Sequence, residues 1–203
     1  TKETPKPLLI FKGKPLIVWH IEKLSAAGFT DIVINVSYLA EKIKEYLGNG
    51  SQWGVRIFFS DENPVLETAG GIRKALPLLK SNPFLVINSD IYSDINYAEL
   101  YKLNLPKSIE GLLFFVKNPL HNPAGDFLLG DDGVVMNDGM IKKTFSGIAI
   151  YRPDFFYDLP NNKFIKLSDV LKEKVEKRLI RGNLFNGLWI DIGTPERLMS
   201  QDN

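Results

Sequence analysis

Asp31-Ile-Val-Ile-Asn-Val36 and Val55-Arg-Ile-Phe-Phe-Ser60 are short apolar runs with a segment of different rhythm between them. That segment carries Leu39, Ile43 and Leu47 four residues apart and ends at Gly48, which reads as an amphipathic helix with a glycine stop. Downstream, Ile72, Leu76 and Leu79 predict a second helix, opened by Gly70-Gly71, and Pro83-Phe-Leu-Val-Ile-Asn-Ser-Asp90 reads as a third strand. A strand–helix–strand–helix–strand series predicts parallel strands joined by right-handed crossovers. Because these runs are apolar on both sides, helices are expected on both faces of the sheet. The expected class is therefore α/β, doubly wound.

Upstream, Lys14 to Gly28 holds Ile17, Ile21 and Leu24 at helical spacing. The second half is less regular. Gly111 to Lys117 and Lys143 to Tyr151 read as strands, with short hairpin strands expected in the Gly/Asp/Asn-rich stretch from Asp126 to Gly139. A helix is expected at Leu167 to Lys177. Two further strands, Leu179 to Phe185 and Leu188 to Asp191, flank Asn186-Gly187, a hairpin-turn signal. Thr194-Pro195 would cap a last helix. No repeat or linker interrupts the 203 residues, so one domain spanning 1–203 is expected. The chain opens Thr1-Lys-Glu-Thr-Pro-Lys-Pro7, without an initiator Met or a leading strand, and is expected to lack its natural start.

A formal charge of +1 gives no bulk attraction to nucleic acid or membrane. The absence of cysteine removes thiolate nucleophiles and zinc–thiolate sites, and His20 and His121 are too few for a multi-histidine metal centre. No apolar run approaches the roughly 20 residues of a membrane span. A cytoplasmic protein is the expectation.

The chemistry is expected where strands end. Asp90 closes one apolar run and Asp191 another, in Gly187-Leu-Trp-Ile-Asp-Ile-Gly-Thr-Pro195. Taken singly, each also reads as a strand-ending turn residue. Delivered together beyond the carboxyl ends of strands, they make a hard oxygen site suited to Mg²⁺ and phosphate chemistry. Lys6, stiffened by Pro5 and Pro7, is either a surface lysine or a point charge aimed at a phosphate. Gly70-Gly71 would let a ligand approach outward-pointing helix amides, with Thr68 as the cap. Ser146-Gly147 interrupts an apolar strand, a mark of close approach by a ligand or another backbone. Gly125-Asp126 and Asn137 offer hydrogen bonds to hydroxyls. His20 reads as structural, and Arg56, Lys166, Lys172 and Lys177 as solvated faces.

The ordered set Pro5-Lys-Pro-Leu-Leu9, Glu67-Thr-Ala-Gly-Gly71, Asn88-Ser-Asp90, Phe145-Ser-Gly147 and Trp189-Ile-Asp-Ile-Gly-Thr-Pro-Glu-Arg197 resembles the sugar-1-phosphate nucleotidyltransferases across essentially the whole chain. Its Glu-Thr-Ala-Gly-Gly and Thr-Phe-Ser-Gly elements look most like the N-acetylmuramate-1-phosphate uridylyltransferases of peptidoglycan recycling. Mannose-1-phosphate guanylyltransferases and glucose-1-phosphate thymidylyl- or uridylyltransferases are the alternatives. The resemblance implies a Rossmann-like, mixed but mostly parallel sheet with a small β-rich sugar-binding part. It implies Mg²⁺ as cofactor, a nucleoside triphosphate and a sugar 1-phosphate as partners, and leaves oligomeric state open. By motif match, Lys6 contacts the reacting phosphates and Asp90 and Asp191 hold the metal. Glu67, Ala69, Gly70, Gly71 and Ser89 serve the nucleotide, and Gly125, Asn137, Ser146 and Gly147 the sugar. The family's leading strand and Gly-rich, Arg-bearing loop have no counterpart here. Nor does its Glu-Lys-Pro element, which leaves Lys142 or Lys143 as substitutes. A sugar-nucleotide-binding regulatory module and a glycosyltransferase are the competing classes. The second usually places its metal acids close in sequence, whereas these lie about a hundred positions apart.

Overall fold

The computed structural model describes residues 3–193 and residue 197. In chain order the elements are β1 (Ile10–Phe11), β2 (Lys14–Pro15), α1 (Leu16–Ala26), β3 (Asp31–Val36), α2 (Ala40–Leu47) and β4 (Arg56–Asp61). Then come α3 (Glu67–Ala75), β5 (Phe84–Ile87), β6 (Ile91–Ser93), α4 (Tyr97–Tyr101), β7 (Gly111–Val116), β8 (Phe127–Leu129), β9 (Val135–Met136) and β10 (Lys142–Tyr151). The chain closes with α5 (Asp154–Tyr157), α6 (Leu167–Glu176), β11 (Ile180–Leu184) and β12 (Trp189–Asp191). They fall into two compact units: Thr1–Val65 with Asn88–Lys102 and Leu188–Asn203, and Leu66–Ile87 with Leu103–Gly187. Neither unit is continuous in sequence, so no crossing point looks like a linker.

In the first unit β3 and β4 pair in parallel through α2, from Asp31 opposite Arg56 to Val36 opposite Asp61. The Arg56 guanidinium closes that register on the Asp31 carboxylate with bonds of 2.6 and 2.9 Å. α1 and α2 bury their predicted stripes, Ile17 and Ile21, Ile43 and Leu47, against Val36, Val55 and Ile57. Each such side chain contributes about 1.5–3 kcal/mol on full burial. A smaller cluster of Phe11, Leu16 and Ile192, with Trp19, Tyr92 and Ile190 against it, joins the β1–β2 hairpin to an antiparallel ribbon of β6 and β12.

The second unit is a mixed sheet in the order β11-β7-β10-β8-β9, with β5 also on β10. β11 runs parallel to β7, while β10 runs antiparallel to β5, β7 and β8. Leu113, Phe115, Ala149 and Tyr151 are fully buried there with Phe155, Phe156 and residues of α3 and α6.

Two local expectations change. Asn186-Gly187 does not turn a hairpin: β11 pairs with β7 and β12 with β6. The turn signal is local, but β11 finds its partner in a strand nearly seventy positions earlier. α3 begins at Glu67, so Gly70 and Gly71 sit inside it instead of opening it, and Leu66 is the N-cap, without a side-chain cap bond from Thr68. Gly147, at φ +78, lies where the β10–β7 register shifts between Phe145 and Ala149. It permits a bulge, which glycine in the left-handed region does without steric cost. The expected helix after Thr194-Pro195 lies outside the described residues.

Candidate active site

The β6–β12 ribbon assembles the acids. Its register sets Asp191 opposite Ile91, the neighbour of Asp90, and the Ile192 N–H donates to the Asp90 carbonyl at 2.8 Å. Two carboxylates about a hundred positions apart are thereby fixed by backbone bonds. A Cβ added to Gly193 would stand 2.9 Å from Asp191 Oδ1 and 3.2 Å from Asp90 Oδ2. The two oxygens are thus no farther apart than those distances together, about 6 Å. A side chain at this position would crowd both oxygens.

Burial, and then the charge of Asp191, hold the Asp90 carboxyl above its usual range, with Lys6 and Arg197 pulling the other way. Lys6 stands in a short 3-10 turn, Lys6–Leu8, behind Pro5, and its side chain is exposed. Arg197 closes the motif that begins at Trp189, and no role was expected of it. Its Nη1 donates to Asp191 Oδ2 at 2.5 Å, while the Gly193 N–H donates to Asp191 Oδ1 at 2.8 Å. The signal was its distance from Asp191, six positions along the same motif. Ser89 is half-buried beside Asp90.

His20 supports the ribbon from beneath. Its Nε2 bonds the Ile91 carbonyl at 2.8 Å and its Nδ1 the Tyr97 hydroxyl at 3.0 Å. Burial lowers its pKa to about 4. The ring is neutral, with Nε2–H donating to the carbonyl, since a carbonyl only accepts.

The donor chemistry suits a divalent cation. Two hard carboxylate oxygens lie within about 6 Å of one another, and burial together with the charge of Asp191 disfavours the ionised form of Asp90. Among the described residues no third Asp, Glu, His or Cys joins them. That matches Mg²⁺, which takes one or two carboxylates and fills its octahedron with water and substrate phosphates.

The remaining expected residues lie in the second unit. The N–H groups of Ala69 and Gly70 donate to the Ile165 carbonyl at 3.1 and 3.2 Å, and Ile165 N–H returns a bond to Leu66. A Cβ on Gly70 would stand 2.1 Å from the Lys163 carbonyl oxygen. The expected outward amides are therefore taken by the chain itself, and the close approach at Gly70 is to backbone. Glu67 opens α3 at φ +60, and Gly71 is buried within it. Asp126 Oδ2 accepts from Phe145 N–H at 2.8 Å, next to Ser146 and Gly147, and Gly125 packs on the Lys142 backbone. Ser146 Oγ accepts from Ile148 N–H across the bulge. Asn137 is turned elsewhere, its amide donating to the Lys172 carbonyl of α6 at 3.0 Å, with its Oδ1 buried and unpartnered.

Residues 1–126 match the profile of the family described as nucleotidyl transferase. The chain is 46% identical over 203 residues to an N-acetylmuramate alpha-1-phosphate uridylyltransferase of Neisseria meningitidis serogroup B, covering 98% of this chain and 88% of that protein. It is 29% identical to the catalytic subunit beta of a mannose-1-phosphate guanylyltransferase of Drosophila melanogaster, of which it spans 57%. Two solved structures share the fold. One is HddC from Yersinia pseudotuberculosis complexed with GMP-PN, at TM-score 0.79, 23% identity and coverage of 97% of this chain and 88% of that one. The other is a putative glucose-1-phosphate thymidylyltransferase from Bacillus anthracis, at TM-score 0.85, 17% identity and coverage of 98% and 86%.

Proposed function

The chain belongs to the nucleotidyl transferase family, and from that premise we propose that it transfers a uridylyl group from UTP to N-acetylmuramate 1-phosphate, acting in the cytoplasm with Mg²⁺. The observation that carries the substrate choice is the 46% identity to the Neisseria uridylyltransferase along 98% of the chain. The acid pair at the β6–β12 ribbon supports the chemistry.

The sugar phosphate oxygen is already ionised near neutral pH, because the second pKa of a phosphate monoester is about 6. It forms a bond to the α-phosphorus as the bond from that phosphorus to the bridging oxygen breaks, and pyrophosphate carries away the electron pair. No proton moves, so neither a general base nor a protein nucleophile is required. The difficulty is bringing one anion against another. A divalent ion held by Asp90 and Asp191 would supply the positive charge on which the developing charge is spread. Lys6 would add a cation whose charge bears on the Asp90 carboxyl. Glu67, Ala69, Gly70, Gly71 and Ser89 serve the nucleotide in this proposal, and Gly125, Ser146 and Gly147 the sugar. Asn137 would join them through its unpartnered Oδ1 alone, since its amide is engaged by α6.

A pyrophosphate-release screen crosses UTP, dTTP, GTP and CTP with a panel of sugar 1-phosphates, with and without Mg²⁺. UTP with N-acetylmuramate 1-phosphate is expected to lead, and turnover to require the metal. A preference for GTP with mannose 1-phosphate would replace the substrate assignment. Nucleotide-sugar binding without pyrophosphate release from any pair would favour a regulatory module instead.

A further inference from the structure

Both oxygens of Asp191 are engaged by the protein itself. Oδ1 accepts from the Gly193 amide at 2.8 Å and Oδ2 from Arg197 Nη1 at 2.5 Å. The guanidinium also bears on Asp90, where with Lys6 it opposes burial and the charge of Asp191. Arg197 therefore already supplies, at this pair, the positive charge that a divalent cation would bring. Both would draw on the same carboxylate.

We propose that Arg197 is a positioning residue that stands in for the divalent cation in the substrate-free protein. It keeps Asp191 aimed and the two like charges tolerable. It also lowers the affinity for free divalent ions until a triphosphate supplies phosphate oxygens to take the guanidinium. This rests on the acid pair being the metal site proposed above. The consequence is an order of events: the cation is held firmly only together with the nucleotide, not beforehand.

Removing the arginine has two opposed effects on metal affinity. Loss of an orienting partner weakens binding, typically by roughly 10–100-fold. Loss of a positive charge in contact with a ligating carboxylate strengthens it, and the double charge of the ion doubles that term. The Gly193 amide still orients Oδ1, so the orienting loss is the smaller and the net effect is tighter binding.

The test is Mn²⁺ binding to the whole protein without substrate, followed by electron paramagnetic resonance, alongside steady-state kinetics. Arg197→Gln should bind free Mn²⁺ about tenfold more tightly or better than the wild type, yet show a lower kcat. Arg197→Lys, which keeps the charge, should retain the weak wild-type affinity. Circular dichroism establishes that each variant is folded. Asp90→Asn in the Arg197→Gln background should abolish the gain. If Asp90 is needed for binding but Arg197→Gln binds no more tightly than wild type, the role of Arg197 is wrong and the metal site stands. If Mn²⁺ binds equally with and without Asp90, it is the metal-site reading that fails.

Discussion

Asp90 shows what a buried carboxylate beside a second acid does to the protein that carries it. Burial and the neighbouring Asp191 raise its pKa in the folded state. A group whose folded pKa lies above its unfolded value contributes full stability below the unfolded pKa, and that contribution is lost as pH rises through the folded one. Ionising Asp90 therefore opposes folding in the metal-free protein. Asp90→Asn should raise the urea midpoint at about pH 7 without metal, and the gain should shrink toward about pH 4. Turnover should fall by about 100-fold or more, the scale of losing one preorganised contact to developing charge. A lower urea midpoint at neutral pH would show that Asp90 is structural. His20 runs the other way. Its folded pKa, lowered to about 4, lies below the ordinary value, so the unfolded chain binds more protons between the two. Stability from the neutral ring is present above about pH 6.5 and is lost as pH falls toward 4, by about 3 kcal/mol in all. Denaturant titrations across that window should show this loss in the wild type and a reduced slope in His20→Gln. Equal slopes would mean that His20 is not held neutral.

Among the elements, α3 separates packing from ligand binding. Its Ala69 and Gly70 amides are bonded to the Ile165 carbonyl, and its Gly70 faces the Lys163 carbonyl. Gly70→Ala should therefore destabilise the protein by about 1–3 kcal/mol, as overpacking does, in urea titrations with no nucleotide present. Unchanged stability with weakened nucleotide binding would instead place a ligand against this glycine. The same element shows why glycines are ambiguous in a sequence. Paired glycines announce a close approach, and nothing local says whether backbone or ligand is what approaches. In β10 the small residues Ser146 and Gly147 answer to a bulge against β7. The acid pair was more legible, because two runs of strand character each ended in a carboxylate. What the residues did not reveal is that a two-stranded ribbon, β6 with β12, would carry both acids, or that Arg197 would pair with one of them.

Across the molecule, helices and strands followed their periodicity closely: α1, α2, α6, β3, β4, β7 and β10 stand within a few residues of their expected positions. Among the described residues no helix is long and apolar enough to cross a membrane. Periodicity is set by neighbours a few positions apart, and so it survives in the amino-acid order. Partner choice is not. β11 follows an Asn-Gly turn but pairs with β7, because hydrogen-bonding edges are matched over long separations, where a buried apolar partner outweighs a local turn preference. Each compact unit draws on separated stretches of chain, so its outline cannot be seen in composition. The chemical repertoire, acids and a lysine without thiols, was written in residue identity, whereas the closeness of Asp90 and Asp191 came from backbone pairing between distant segments. Only folding brings like charges near enough to raise a pKa, since in an extended chain water and distance would keep them independent.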